Sequence, residues 1–383
     1  MFASNGAVFA SLLPWYPLLR DRLHLSATEF GFIVAAFAVG ALLSTAIPAP
    51  LIRRFGTAPV SVISTAVLGL SIAAAGWSTA GWMLALAIFV TGLMDASADA
   101  AQNVAGVRVQ ERFGRPILGS MHALWSLGAV AGGAIATVSA AAGVDIRAHL
   151  AVSSALSIAL VILGSRLAAP ASSPLPAVAP EVPVAGAPAT GKGKRQLGLL
   201  LKIVPLALLA IAGTSIEDIA NNWSSIAGVE LAGLDTGTAG VAFTLIIASQ
   251  CVGRFSGDAL IHRFGRRRVA QIGGLLIATG GIGVISAHGA PLLFVSLALV
   301  GYGTATIVPS AFSAAARIPG VPEELGVTVI GWLMRVGFLA TSPVIGLTTD
   351  AFGLRTGLAL ITVIGVATFA LAWALQPRTK QES

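Results

Sequence analysis

The stretch LIRRFG at residues 51–56 returns as LIHRFG at residues 260–265, displaced by 209 positions. At the same offset Gly92 falls on Gly301 and Gly128 falls on Gly337, with no gap over more than a hundred residues. The sequence therefore predicts two homologous halves with the same order of elements and the same orientation.

The composition of the 383 residues is that of a membrane protein. Apolar residues make up 56%, charged residues 10%, and the mean hydropathy is +0.87. A soluble domain has about 45–50% apolar and about 25% charged residues. Helical runs of about 20 apolar residues cross the roughly 30 Å hydrocarbon core of a bilayer. We therefore expect an all-α polytopic protein with two pseudo-symmetric halves of six transmembrane helices each.

Twelve apolar runs are predicted to be these spans. They lie at about residues 2–19, 30–51, 58–77, 82–107, 116–143, 148–168, 198–228, 239–261, 268–287, 290–316, 325–348 and 356–375. Because the seventh run begins near Gly198, the offset places the start of the first about eleven residues before Met1. We therefore expect the natural product to start upstream of this methionine.

Basic residues predict the orientation. With both termini in the cytoplasm, seventeen Lys and Arg residues fall on the inner side and four on the outer side. The outer four are Arg20, Arg22, Arg147 and Arg355. Since Lys and Arg concentrate in cytoplasmic loops, this arrangement predicts cytoplasmic termini. The same bias accounts for the net charge of +7, so no nucleic-acid partner is implied.

A segment rich in proline and alanine separates the halves. We expect a first half at residues 1–168, a cytoplasmic linker at 169–197, a second half at 198–377 and a cytoplasmic tail at 378–383. Gly186, Gly191 and Lys192 approach a phosphate-binding loop, but Gly193 stands where Ser or Thr would hold magnesium. We predict no cofactor, and the single Cys251 excludes a cysteine metal site.

Five ionisable residues lie deep in the predicted spans. Asp95 and Asp99 are in the fourth, Glu217 and Asp218 in the seventh, and Arg335 in the eleventh. Such groups cost roughly 2.5–3.5 kcal/mol at a helix centre on insertion scales, so they mark a water-filled route or an ion pair. Asp95 and Asp99 stand one turn apart and repel each other, so one of them is expected to hold a proton near neutral pH.

Other polar residues extend these positions. Gln102 and Asn103 continue the stripe of the fourth span, Asn221 lies one turn from Glu217, and Tyr302 belongs to a polar face of the tenth span. We expect all nine residues to line a substrate and proton route. Arg335 is expected to be a counter-ion or to hold an anionic group of the substrate. Purely structural roles remain open for the carboxylates, either paired with Arg335 or bonded to the backbone of a broken helix.

The duplicated halves and their basic RFG stretches resemble the major facilitator superfamily over essentially the whole chain. The superfamily's loop signature has an acid before its arginine. Arg53 replaces that acid in the first copy and His262 in the second, where Asp258 lies one turn earlier. The resemblance implies parallel halves and alternating access. Candidate gating residues at these loops and near the start of the fifth span are Arg53, Arg54, Gly56, His122, Arg254, Asp258, Arg263 and Gly265.

Residues 99–128 resemble a narrower bacterial branch, the MosC-like membrane proteins. The matching positions are Asp99, Asn103, Glu111, Arg112, Gly114, Arg115, Pro116, His122, Ala123, Ser126 and Gly128. Glu217, Trp223 and Ser224 match the seventh helix of the branch, whereas Asp218 and Asn222 depart from it.

These features predict a proton-coupled secondary transporter of a small polar or amphipathic organic solute, monomeric and in the bacterial inner membrane. Gly119, Gly128, Gly132 and Gly133 fit the glycine pattern of drug efflux antiporters, although small residues at this spacing also allow close helix packing. A non-transporting sensor with the same fold is a further alternative. The sequence shows no catalytic constellation that indicates an enzyme.

Overall fold

The computed structural model describes residues 1–114, 118–168, 193–318, 321 and 323–376. Every regular element in these ranges is helical. The helices form twelve membrane helices, α1–α12, in two pseudo-symmetric halves of six. The predicted fold class is therefore confirmed.

The helices of the first half are α1 to α6. Their bounds are Phe2–Ala10, Leu13–Trp15 and Tyr16–Arg22 for the three segments of α1; Ala27–Leu43, Ser44–Ala46 and Pro48–Phe55 for α2; Thr57–Ala75 for α3; Gly81–Phe113 for α4; Leu118–Ala141 for α5; and Ile146–Leu167 for α6.

The helices of the second half are α7 to α12. Their bounds are Gly193–Asn222 and Ser224–Ala232 for α7; Gly240–Phe264 for α8; Arg266–Ser286 for α9; Ala290–Thr304 and Ile307–Ala315 for α10; Glu323–Leu333 and Arg335–Phe352 for α11; and Leu354–Leu358, Leu360–Leu371 and Ala372–Leu375 for α12.

Ten of these helices, counted over the described residues, are long and apolar enough to cross a membrane. The other two are α1 and α8. The longest segment of α1 has 9 residues because the helix breaks before Pro14, whose ring cannot donate a backbone hydrogen bond. Gln250 and Arg254 lower the hydropathy of α8. Both helices therefore carry the irregular or polar residues that membrane helices bury inside a bundle.

Contacts within the halves repeat at the 209-residue offset. Gly92 of α4 lets the backbone of Phe37 in α2 approach, and Gly301 of α10 does the same for Ile246 in α8. A Cβ at these two glycines would lie 2.8 Å and 3.2 Å from the respective carbonyl carbons. Small residues therefore set the same helix crossing in both halves.

The two RFG stretches form the same turn. Gly56 and Gly265 have φ angles of 84° and 80°, a region that glycine enters without steric cost. Arg54 and Arg263 each place the guanidinium over the ring of the phenylalanine that follows, at 5.2 Å and 5.3 Å. The repeated stretch is thus a repeated connection, from α2 to α3 and from α8 to α9.

The side of the membrane that holds these two connections is here named the basic side, and the opposite side the tight side. At the tight side the halves touch. Gly31 of α2 faces Ser342 and Pro343 of α11, and Gly240 of α8 faces Thr137 of α5. In the described part of the chain α4 and α10 make no comparable contact with the opposite half. The halves therefore enclose a cleft that is closed at the tight side and open at the basic side.

Polar links strengthen the tight side. Arg20 at the end of α1 forms an ion pair with Glu230 of α7. Asp350 at the end of α11 accepts the backbone amides of Ala27 and Thr28 at 3.0 Å and 2.8 Å. Those amides begin α2, where a carboxylate is favoured by the helix dipole. Each link joins one half to the other.

Two further arginines complete the ends of helices within their halves. Arg22 of α1 and Arg355 of α12 donate to the carbonyl oxygens that end α3 and α9. The four acceptors, which correspond in pairs at the 209-residue offset, are the carbonyls of Gly76, Ser78, Ile285 and Ala287. The arginines therefore supply hydrogen bonds that a helix end cannot make by itself.

The predicted span boundaries differ from the structure by a few residues, as α7 and α1 illustrate. Helix α7 begins at Gly193, five residues before its predicted start at 198, because Lys194, Arg195 and Gln196 are favourable helix residues. Helix α1 continues to Arg22 rather than ending at 19. The linker residues 169–192 and the tail residues 378–383 lie outside the described residues, and their conformation stays a prediction.

Candidate functional site

A cavity of about 60 Å³ lies between the halves, where α1, α5, α7 and α8 meet. Its polar lining residues are Ser126, Glu217, Asn221, Gln250 and Arg254. Aromatic rings of Phe9, Trp125 and Phe243 form much of the remaining wall. Small-molecule sites combine an apolar wall with a few converging polar groups in about 300–1,000 Å³, so this cavity has the lining of such a site and a fraction of its volume.

Glu217 is the centre of this polar group. Its Oε1 accepts hydrogen bonds from Nη2 of Arg254 at 2.6 Å and from Nε2 of Gln250 at 3.0 Å. Nη1 of Arg254 donates to the hydroxyl of Ser126 at 3.1 Å. Ser126 is on α5 and the other three residues are on α7 and α8. A single guanidinium thus binds a carboxylate in its own half and a hydroxyl in the opposite half.

Two candidate gating residues of α8, Arg254 and Asp258, lie in different surroundings. Arg254 binds Glu217, whereas Asp258 is exposed one turn nearer the basic side. Their spacing of four residues places both on α8, but the arginine side chain extends toward the cavity. Arg254 is therefore a cavity residue and not part of the α8–α9 connection.

The aspartates of α4 lie in the first half. Nδ2 of Asn5 in α1 donates to Oδ1 of Asp95 at 3.1 Å. Asp99 is exposed, one turn nearer the basic side, and Asn103 donates to its backbone carbonyl at 2.9 Å. Gln102 is buried at 2% exposure. The predicted polar stripe thus runs along α4 from a partly buried carboxyl group to an exposed one.

Asp218 does not line the cavity beside Glu217. It is 4% exposed and accepts hydrogen bonds from Nδ2 of Asn222 at 2.8 Å and from the hydroxyl of Ser342 in α11. That hydroxyl also accepts from Nε1 of Trp223 at 3.0 Å. Consecutive residues of a helix point about 100° apart, so Asp218 faces α11 when Glu217 faces α8. Its position in the predicted route is corrected to one between α7 and α11.

Trp223 carries this network to the first half. Its ring makes an edge-to-face contact with Phe30 of α2 at 5.4 Å, and Phe30 makes another with Tyr16 of α1 at 5.3 Å. Because α2 closes against α11 at this level, Asp218 lies directly behind the contact surface of the tight side.

Arg335 is not paired with a carboxylate among the described residues. Its Nη1 is buried without a hydrogen-bond acceptor, and its guanidinium lies 5.5 Å from the ring of Trp332. The predicted pairing with Asp95 or Asp99 is absent from this conformation, since Asp95 is bound by Asn5 instead.

Two further predicted residues make local contacts. The hydroxyl of Tyr302 in α10 lies 2.9 Å from that of Ser256 in α8. His122 of α5 makes an edge-to-face contact with Phe2 of α1 at 5.3 Å. These contacts favour packing roles, although the gating role of His122 stays a prediction.

Gly128 and Gly132 of α5 explain the glycine pattern by packing. A Cβ at either position would overlap the backbone of α1 at Ala3 or Ala7. Gly133 faces the ring of Phe243 in α8. The described glycines therefore let helices approach, as small residues do in membranes.

Sequence reasoning missed the partners of the carboxylates. Gln250 stands one turn before Arg254, so a pair of polar residues inside the predicted eighth span was a usable signal. Ser342 and Asn5 gave none, because their contacts depend on how helices of distant sequence cross. No group of three or more potential metal-ligating side chains occurs within the residues that the structure describes.

Relatives of known sequence share nearly the whole chain. The chain is 27% identical over 381 residues to an uncharacterized transporter of Sinorhizobium fredii, covering 99% of this chain and 96% of the relative. It is 26% identical over 374 residues to the membrane protein MosC of Rhizobium meliloti, covering 95% and 86%. The resemblance to the MosC-like branch is thereby confirmed.

Solved structures share the fold. A bacterial homologue of the human lysosomal transporter Spinster, in an inward-facing and unoccupied conformation, matches with a TM-score of 0.75 and 14% identity over 98% of this chain and 94% of that one. A D-xylose–proton symporter matches with a TM-score of 0.72 and 15% identity, covering 100% and 98%.

The family profile agrees with these likenesses. The profile described as Major Facilitator Superfamily matches residues 1–332 and again residues 219–383. This multi-pass membrane protein is therefore a transporter that belongs to the major facilitator superfamily.

Proposed function

We propose that the chain is a proton-coupled secondary transporter that moves a small polar or amphipathic organic solute by alternating access. Residues 1–168 and 198–377 act as the two rocking units, and the transporter works as a monomer. The observation that carries the proposal is the bridge formed by Arg254, which binds Glu217 in one half and Ser126 in the other.

The closed tight side supports alternating access. A transporter of this type exposes a central site to one side while the other is sealed. By the positive-inside rule the basic side faces the cytoplasm, so both termini are cytoplasmic and the structure is open inward. Bacterial relatives favour the plasma membrane as its location.

Glu217 is the first proposed proton carrier. A proton on this carboxylate removes the charge that holds Arg254, and charge-assisted hydrogen bonds are about twice as strong as neutral ones. Because Arg254 also donates to Ser126, loss of its anion changes a contact between the halves. The protonation state of Glu217 is thereby linked to the movement of the halves.

Asp95 and Asp99 form the second proposed carrier. Asp99 is exposed to the open cleft, where it exchanges protons with water. Asp95, one turn further in, is held by Asn5 of α1. The fold that this chain shares with the D-xylose–proton symporter agrees with the use of a proton gradient.

Accumulation in proteoliposomes tests the proposal. The purified full chain is reconstituted, a pH gradient is imposed, and a defined mixture of small organic solutes is supplied outside. Mass spectrometry of the lumen should show at least one solute accumulated, and a protonophore should abolish the accumulation. The variant Glu217→Gln should lose accumulation and keep exchange of the same solute, whereas Arg268→Gln, an exposed arginine on the basic side, should behave as wild type.

An outcome without accumulation under either direction of the gradient contradicts the transporter mechanism. Binding of a solute without any transport would instead support the non-transporting sensor. The drug efflux alternative is not favoured, since Gly128, Gly132 and Gly133 pack against α1 and α8, and Gly119, the fourth glycine of the pattern, lies outside the residues whose surroundings are described.

A further inference from the structure

We infer that Arg335 is the anion-binding residue of the solute site, and that the solute is an amphipathic organic carboxylate. This inference rests on the proposed transport function and names its substrate class. Two arginines of the second half face the first half: Arg254 has an anionic partner, and Arg335 has none among the described residues.

Arg335 points toward the opposite half. It shares one face of α11 with Ser342 and Gly346, since residues seven and eleven positions apart return to within about 20° of the same direction. Ser342 and Gly346 of that face lie against α2 at Gly31 and Ala27. Arg335 stands two turns nearer the basic side, where α2 and α11 have diverged into the cleft. Arg335 therefore lies on the face of α11 that turns toward the first half, at the level where a solute enters the cleft.

The pseudo-symmetric position shows what is missing. The offset of 209 places Arg335 on Ser126 of α5 and Arg254 on Thr45 of α2. Between α5 and α8 this pair of positions holds a hydrogen bond from Arg254 to Ser126. Between α2 and α11 the hydroxyl of Thr45 donates to the carbonyl of Leu42 in its own helix. Among the residues that the structure describes, none accepts a hydrogen bond from Nη1 of Arg335 at this second position.

The guanidinium of Arg335 is therefore an incomplete site. Its Nη1 is buried with no acceptor among the residues described, whereas the side chain as a whole is partly exposed, so a ligand can reach its edge. A buried donor without a partner carries the full cost of its desolvation. An anion at that edge lowers this cost by neutralising the charge.

The environment selects a carboxylate. One guanidinium balances one negative charge and presents two parallel N–H groups that match the two oxygens of a carboxylate. Of the carboxylates inside the spans, Glu217 is bound to Arg254, Asp95 to Asn5 and Asp218 to Ser342, and the exposed Asp99 forms no ion pair with Arg335. The ring of Trp332, 5.5 Å from the guanidinium, offers an apolar surface to the rest of the molecule. An organic acid with an apolar part fits both groups.

Matched acid and amide probes test this assignment. The probes are benzoate with benzamide, phenylacetate with phenylacetamide, and glucuronate with glucuronamide, each titrated against the purified full chain while its melting temperature is followed. At least one acid should raise the melting temperature of the wild type and its amide should not. Arg335→Gln should weaken binding of that acid by about 10-fold or more, and Arg335→Lys should weaken it less. The control variant Arg268→Gln should bind as wild type.

The assignment is overturned if no acid stabilises the wild type, if an amide stabilises it equally, or if Arg335→Gln keeps the effect. Should Arg335→Gln fail to fold, binding of the acid is compared between wild type and Arg335→Lys. Lysine keeps the positive charge and lacks the two parallel N–H groups of the guanidinium, so binding should still weaken. Uptake of the bound acid into proteoliposomes under a pH gradient is measured separately. An acid that binds through Arg335 without accumulating supports the anion site and contradicts the transport proposal. A neutral solute that accumulates equally in wild type and Arg335→Gln supports the transport proposal and contradicts the anion site.

Discussion

Replacing Gly31 by alanine should open the tight side. A Cβ at Gly31 would lie 2.9 Å from the carbonyl carbon of Ser342 and 3.2 Å from Cα of Pro343, whereas carbon atoms pack at about 3.5–4.0 Å. Helices α2 and α11 belong to different halves, so the overlap is relieved by moving the halves apart. Overpacking of this kind costs about 1–3 kcal/mol, which corresponds to a shift of about 5- to 150-fold in the equilibrium between closed and open tight sides.

Distance measurement between spin labels tests this shift. Cysteines replace Asp21 in the first half and Phe352 in the second, both exposed on the tight side, in a Cys251→Ser background. Gly31→Ala should increase the population with long distances. The matched control is Gly92→Ala, whose Cβ would lie 2.8 Å from the carbonyl carbon of Phe37 within the first half.

The control separates conformational change from simple damage. The contact of Gly92 exists whether the tight side is open or closed, so Gly92→Ala should lower the melting temperature and leave the distance distribution unchanged. If Gly31→Ala also lowers the melting temperature without lengthening the distances, the α2–α11 contact is not a gate and the reasoning fails.

Three other substitutions test single contacts. Asn5→Ala removes the donor to Asp95 and should raise the pH at which accumulation is half-maximal, measured as a pH profile of uptake; an unchanged profile argues against Asp95 as a carrier. Glu217→Gln releases Arg254 and should increase the distance between labels on α5 and α8. An unchanged distance would show that the bond from Arg254 to Ser126 is enough to hold the halves together. Asp350→Asn weakens a cap shared between halves and, since the group is exposed, should favour the open tight side by only about fivefold; no change in label distances would show that the cap does not hold the gate.

The repeat made the fold predictable. The 209-residue offset predicted the two halves and their shared connections at Gly56 and Gly265. Hydropathy predicted the spans, ten of which are long and apolar enough in the described part of the chain. It could not show the breaks in α1 and α7, because hydropathy averages over a window and does not register the backbone turn at Pro14 or Trp223.

The candidate site was predictable by residue type and not by partner. Charge inside a predicted span pointed to Glu217, Asp218 and Arg335, since such residues are expensive in a membrane, and of the three Glu217 lines the cavity. Which of two consecutive acids faces the cavity depends on the rotation of α7 about its axis, and that rotation is set by packing against α8 and α11. The partner of Glu217 is Arg254 on the next helix, α8. The sequence does not show which residues of α7 and α8 come into contact.

The arginine caps on α3 and α9 suggest how parts of this chain can be exchanged. The capped carbonyls correspond between the halves, but Arg22 comes from α1 and Arg355 from α12, so the same structural need is met from unrelated places. A chimera that imports α1 without α3, or α9 without α12, leaves a helix end uncapped even when every span is correct in length. The exchangeable modules of this protein are therefore the helix pairs α1 with α3 and α9 with α12. In neither pair do the two helices follow each other in the sequence.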